Sequence, residues 1–451
     1  MLFTIIAGML IALAAEPNAA SACASSFSPP MVMLWTLLLT VSAAVPGVVT
    51  SKLLAPELLE TSEGRARALR IARTGAIVAQ AWVLAAFAGV TYLVQWPLFV
   101  AGALRLEGWV LVEEMARLAP FLAMLFLAWM PAWRIDRALR PGGWSLREFL
   151  EFQVRQNLLF ILLPVMVLVA AEDSLRFLPG AEWLVKKGLD AVVILALMAA
   201  MYAFAPLVLR FVWKTRRLEP GDLRARLEAL ESRAGIFSRD LLVWDTLGGN
   251  IPNACVIGAT QRLRYVMVTD ALMDVLPGDR IEAVFAHELG HVKRRHILWF
   301  VLFALSLMGA LFVVNEIPFV RSHARDSVGD LLSIGGFVSL ALAVPWWGLG
   351  FGWVSRRFEL EADLYAVSLT SSAAFVDALE CIARAGGRPR DSGGWRHFSI
   401  ARRVEFLQSC EADPAYRERF ERRMRRLRFA LAALSAVVFV LAVRMSLISR
   451  A

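Results

Sequence analysis

Eight stretches of this chain are apolar for long enough to cross a lipid bilayer as helices, and that constrains its fold more than any other feature. They run over roughly 31–50, 76–100, 109–133, 156–171, 189–213, 297–320, 331–355 and 428–448. Hydrocarbon offers the backbone no hydrogen-bond partners, so only helices or closed barrels span it, and blocks of about 20 residues indicate helices. The composition agrees, being 58% hydrophobic and only 19% charged, which excludes an ordinary soluble globular chain. Two stretches are less regular. The 156–171 block is short, and 109–133 contains Glu113, Glu114 and Arg117. Charges inside a span face a bundle interior or a wet cavity; alternatively, that span starts near Leu118.

The net charge of +9 reads as topological, because the basic residues border the apolar blocks and do not form a nucleic-acid-binding face. Lys52, Arg65, Arg67, Arg70 and Arg73 lie in the first loop and Arg134, Arg137, Arg140 and Arg147 in the third, which marks both as cytoplasmic. Alternation then puts 214–296 and 356–427 inside, and the loops 101–108, 172–188 and 321–330 outside, as in a bacterial inner membrane or its equivalent. Cys23, Cys255, Cys381 and Cys410 are scattered, so neither a thiolate metal site nor a disulfide framework is indicated. Leu2 to Ala15 resembles a signal segment without a positive n-region, and is read as uncleaved or as an extra N-terminal span.

The fold class expected is an α-helical multi-pass membrane protein with a small α+β, zincin-like domain. Residues 1–213 form a membrane domain of about five spans, and 297–355 a two-span hairpin between two cytoplasmic segments, 214–296 and 356–427. Residues 428–448 form a last span. Within 214–296, Leu223, Leu227 and Leu230 recur at helical spacing after Pro220, Gly221 and Asp222, and short β-rich runs follow at Leu241 to Trp244, Cys255 to Ile257 and Tyr265 to Thr269. These runs suggest a small antiparallel sheet.

The chemistry concentrates in Ile281 to His296, IEAVFAHELGHVKRRH, where His287 and His291 stand one helical turn apart on one face. Two such imidazoles can hold one zinc ion, and Glu288 between them can reach the attacking water as general base. A catalytic zinc needs a third protein ligand. In SRRFELEADLYA, Ser355 to Ala366, Glu359 and Asp363 share a helical face, so Glu359 can ligate while Asp363 holds a ligand histidine from behind. Glu361 points elsewhere; the plainer reading of all three is a solvated acidic helix start. His296 leaves the metal face and reads as solvated, and His323 falls on the outer side.

At these residues the chain resembles the Ste24 and HtpX group of integral-membrane zinc peptidases, family M48. The likeness covers roughly 214–410 and rests on four ordered motifs. Asn253 and Ala254 match an Asn-Ala pair on a strand that binds substrate, HELGH matches the zinc helix, and FELEAD matches E-x-x-x-D, which implies Glu359 as the third ligand. In HFSIARRVEFL, His397 and Arg403 keep the family's spacing, although Phe398 stands where the family has proline. The resemblance implies a zinc metalloendopeptidase with one Zn2+ per chain, Glu288 as base, His397 steadying an oxyanion, and Asn253, Ala254 and Arg403 at the substrate. Taken alone, His397 reads as a surface histidine and Asn253 as a turn residue after Pro252. The implied partners are the bilayer and a peptide or protein in or at the membrane, either a prenylated CaaX-type protein or a damaged membrane protein, and no nucleic acid. A regulatory peptidase that clips one regulator is the alternative within the same chemistry. A catalytically silent chaperone or translocon partner is the alternative outside it, and intact Glu288 argues against that one.

Overall fold

The computed structural model describes residues 2–13, 27–54, 58, 60–104, 110–139, 143–177, 190–246, 251–320, 334–385 and 390–450. Cys23, His323, the 321–330 loop and most of the 172–188 loop lie outside these. Among the described residues, six helices are long and apolar enough to cross a membrane: Pro29–Leu53, Glu63–Leu93, Leu146–Ala171, His296–Asn315, Gly335–Leu369 and Pro414–Met445. They coincide with six of the eight expected stretches, and the other two also lie in helices. Val110–Leu139 is one 30-residue helix, but its first turns carry Arg117, only 8% exposed, which donates to Glu113 and Glu114 at 2.5 and 2.8 Å. The three charges therefore answer one another along a single helix face. The 189–213 stretch is a single 23-residue helix, Asp190–Val212.

The chain divides into two compact units, the first running from Met1 to Trp213 and the second covering Lys214–Thr246 and Asn250–Ala451. In the first, helix starts follow local chemistry. Thr61 accepts the Gly64 N–H at 3.0 Å to open a helix over Ser62–Ala88, and Ser145 and Glu148 form a reciprocal capping box before Leu146–Gln153. Phe87, Phe121 and Trp129 fill its interior.

The second unit holds a four-stranded sheet of β1 (Thr215–Arg217), β2 (Asp240–Trp244), β3 (Ala254–Ile257) and β4 (Tyr265–Thr269), in the order β1-β2-β4-β3. β1 pairs with β2 and β3 with β4 antiparallel, but β2 and β4 run parallel, which corrects the expectation of an antiparallel sheet. The chain reverses direction at each step from β2 through β3 to β4. Because β3 takes the outer edge and β4 inserts between it and β2, two strands of like direction become neighbours. β1 was not anticipated, since its Thr-Arg-Arg sequence is polar and largely exposed.

Helix α1 (Asp222–Ala234) buries Leu227 and Leu230 completely, as its spacing implies, and ends where Gly235 takes a left-handed φ of 63°. Helix α2 (Gly278–Lys293) opens with Asp279 and closes with Lys293, each at the end its macrodipole favours. The chain then turns sharply at Arg295, φ 57°, into α3 (His296–Asn315), the first arm of the hairpin. The second arm ends in α4 (Gly352–Leu369), followed by α5 (Ser372–Ala385), α6 (Ile400–Ala412) and α7 (Pro414–Arg450).

One contact sets the distance between the two chemically important helices. A Cβ placed on Gly290 would lie 3.0 Å from the Ala362 Cα and 3.1 Å from its carbonyl oxygen, so α2 and α4 approach almost backbone to backbone. Any side chain at 290 would push them apart.

Candidate metal centre

That close approach brings His287 and His291 on α2 against Glu359 on α4. The two Nε2 atoms are 3.2 Å apart, and the Glu359 oxygens lie 3.7 Å from His287 Nε2 and 3.6 Å from His291 Nε2. In a tetrahedral site with ligand distances of about 2.0–2.2 Å, neighbouring donor atoms stand about 3.3–3.6 Å apart. The observed spacing is close to that.

The surrounding contacts decide what those atoms carry. His287 Nδ1 lies 2.8 Å from Asp363 Oδ1, an ion-pair distance at an angle outside hydrogen-bond geometry. Behind Asp363 sits Arg403, which donates Nε–H to Oδ2 at 2.8 Å and Nη2–H to Oδ1 at 2.5 Å. On the other side, His291 Nδ1 faces His296 Nδ1 at 2.8 Å, and His296 Nε2 is 3.0 Å from Glu361 Oε2. Arg428 also donates to Glu361 Oε2, and Arg294 Nε lies 3.6 Å from Oε1. Anchoring the protons from the carboxylates inward assigns His296 Nε2–H to Glu361 and His291 Nδ1–H to His296, with His287 Nδ1–H toward Asp363. Both Nε2 atoms are then bare. Two lone pairs and a carboxylate converge with no proton between them, an arrangement that a cation relieves.

The electrostatics favour a bare Nε2 on His291, whereas His287 gives up its Nε2 proton to a bound cation. Burial, followed by the charge of His287, holds His291 well below the usual imidazole range and keeps it neutral. Burial opposes a charge on His287 too, but the Asp363 hydrogen-bonding interaction and charge outweigh it and push that imidazole up. Burial pushes Glu288 up to about 7; His287 opposes, Glu359 adds, and the Val256 N–H draws it down again. A dication at the three converging atoms would lower Glu288 further towards its ionised form.

The contact with Val256 places Glu288 beside the sheet's open edge. Among the described residues β3 pairs only with β4, and Asn253 is tied inward, donating its N–H to Thr269 Oγ1 at 2.9 Å and accepting the Thr269 N–H at 3.0 Å. Antiparallel alternation then turns the main-chain groups of Ala254 and Val256 outward. Of the two residues singled out on this strand, Ala254 thus offers backbone at the open edge, joined by Val256, whereas the backbone of Asn253 is already engaged. His397 joins the cluster with Nδ1 2.8 Å from Glu359 Oε2 and a side chain 54% exposed.

Two assignments change. Arg403, expected at the substrate, is 9% exposed and holds Asp363 with both arms of its guanidinium, because α6 packs it behind the metal-facing side of α4. His296, expected in solvent, is fully buried and stacks on Phe358 with ring centroids 4.3 Å apart. The reversal at Arg295 folds it back over His291. The His296–Glu361–Arg428 chain has no motif of its own; its one sequence signal is a histidine soon after HELGH.

A model of peptidase family M48 matches residues 217–422, which contain the ligand cluster, Glu288, His397 and Arg403. A protease HtpX homolog of Pyrococcus furiosus is 30% identical over 216 residues, covering 45% of this chain and 73% of that protein. The chain belongs to peptidase family M48. Within that family, a protease HtpX homolog of Aeropyrum pernix is 35% identical over 125 residues and a CAAX prenyl protease 1 homolog of Arabidopsis thaliana 32% over 161. Those two matches take in 27% and 34% of this chain and 38% of each relative, so the chain spans well under half the length of either. The fold is similar to the crystal structure of S. mikatae Ste24p, with a TM-score of 0.56 at 19% identity, over 82% of this chain and 98% of that one. Together with six membrane-length apolar helices and a single small sheet, this makes the M48 chain a multi-pass integral membrane protein.

Proposed function

We propose that this chain is a membrane-embedded zinc metalloendopeptidase, with His287, His291 and Glu359 holding one Zn2+. The observation that carries the reading is the convergence of two imidazole Nε2 atoms and a carboxylate beside a second, half-buried carboxylate, Glu288. Bound there, zinc would supply Lewis acidity to the scissile carbonyl and acidify the attacking water. The chain's own residues do the rest. An extended substrate adds to the β3 edge through the outward main-chain groups of Ala254 and the carbonyl of Val256. Glu288 takes the proton of the attacking water and returns it to the leaving amine. His397, donating Nδ1–H to Glu359, would offer Nε2–H to the oxyanion in its doubly protonated form. Asp363 and Arg403 fix His287, and His296 with Glu361 fixes His291.

The substrate class we infer is a membrane-associated protein segment, because α2 leads directly into one membrane-length helix and α4 is the end of another. The relatives named a CAAX prenyl protease and HtpX proteases suggest a prenylated C-terminal segment or a damaged membrane protein within that class. Chelation should abolish peptide hydrolysis and added zinc restore it. Metal analysis should find about one zinc per wild-type chain, little in Glu359→Gln and clearly more in Glu361→Gln, which loosens His291 only through His296. The reverse pattern would show that the third ligand has been misassigned.

We place the catalytic segments on the cytoplasmic side from the basic loops. A cysteine introduced in 321–330 should react with an impermeant thiol reagent applied from outside, and one near residue 225 should not. Outside labelling near 225 would overturn the orientation.

A further inference from the structure

Away from the metal centre, α4, α6 and α7 enclose a cavity of about 730 Å³ whose lining divides into cations and apolar groups. Arg357, Arg402 and Arg423 enter it, one from each helix. None of the three has a carboxylate in ion-pair range among the described residues, whereas Arg417, Arg419, Arg422 and Arg428 on α7 are each paired with an acid. Two lie on aromatic faces instead: Arg357 is 3.8 Å from the Trp353 ring centroid and Arg402 is 4.6 Å from that of Phe398. Arg357 also donates one N–H to the Trp353 carbonyl at 3.1 Å, and a guanidinium over a ring still has further N–H groups to offer an anion. The cavity also takes in Ser399 and Ala401 at the N-terminus of α6, where the helix dipole adds to the positive field. Asp391 and Glu405 line it too, both exposed, and still leave one net positive charge.

The apolar part comes from Phe420, Met424 and Leu427 on α7, just before its uninterrupted apolar run begins at Phe429. Arg357 and Leu427 belong to two different membrane-length helices. The cavity thus lies where both helices pass from charged to apolar sequence. We propose that it binds an anionic phospholipid, its phosphate on Arg357, Arg402 and Arg423 and an acyl chain along Phe420, Met424 and Leu427. A free phosphate would use only the cationic part, whereas a lipid uses both. This site does not depend on the peptidase reading.

The test is native mass spectrometry of the full chain in detergent with phosphatidylglycerol or phosphatidylcholine. Phosphatidylglycerol should be retained in preference, and Arg402→Gln with Arg423→Gln should weaken it about 30-fold, at about five-fold per arginine near a lipid phosphate. Arg425→Gln with Arg426→Gln removes the same charge from α7 residues that do not line the cavity and should leave retention unchanged. All four side chains are exposed, and matching circular dichroism would show that both double variants fold. Equal retention of the two lipids, or equal loss in the two double variants, would overturn the site in favour of a general basic surface. Complete displacement by inorganic phosphate would overturn the lipid as its occupant.

Discussion

Glu288→Gln should lower kcat by about 10²–10⁴-fold, the contribution of a positioned general base, while zinc content stays at that of the wild type. The amide keeps the shape of the carboxylate but cannot accept the proton. Because burial already disfavours the charged form of Glu288, neutralising it should not destabilise the fold, so lost turnover cannot be put down to unfolding. His397→Ala belongs in the same assay. An oxyanion donor acts mainly in the transition state, so kcat should fall about 100-fold to 1,000-fold with little change in KM. Zinc must be measured alongside, since His397 contacts the carboxylate of Glu359. Zinc loss would make His397 a support for the ligand, and wild-type turnover in a zinc-replete variant would return it to an ordinary surface histidine. Full hydrolysis by Glu288→Gln would remove the proposed base.

Arg403→Leu is expected to cost about 3–5 kcal/mol of stability, the usual penalty for removing one partner of a buried ion pair. Asp363 is completely buried, and without Arg403 it keeps only His287 as a charged partner. Thermal unfolding reads the loss. Adding Asp363→Leu should recover much of the stability, because the orphaned charge is gone. It should not recover the metal: a histidine that loses its carboxylate typically weakens zinc binding about 10-fold to 100-fold. If Arg403→Leu unfolded like the wild type and changed only KM, the substrate-contact role implied by family spacing would stand.

Local features of the chain were readable from sequence, and features made by distant contacts were not. HELGH is legible because both histidines and the base lie within five residues, and helical geometry alone puts the histidines on one face. Glu359 and Asp363 were legible through their four-residue spacing, but only resemblance favoured them over an acidic helix start. α1 announced itself by leucine spacing and three strands by β-branched runs. The parallel pairing of β2 with β4 depends on which strand takes the edge, a choice no window of residues contains. The partners of Arg403 and His296 were out of reach of the sequence for the same reason. Each finds its partner far along the chain, Asp363 for one and Glu361 for the other, and the sequence around a buried arginine or histidine looks like that of an exposed one.

On the proposed zinc-peptidase reading, the division of the ligands between α2 and α4 governs when activity can appear. A nascent chain that has emerged only as far as Lys293 carries both histidines and the base, yet Glu359 has still to follow both arms of the hairpin. Until those arms are threaded through the bilayer and Gly290 seats against Ala362, the metal lacks its third ligand. The hairpin therefore acts as a built-in delay: it keeps the chain latent during synthesis, as a propeptide does for a secreted protease, and needs no cleavage to end that latency.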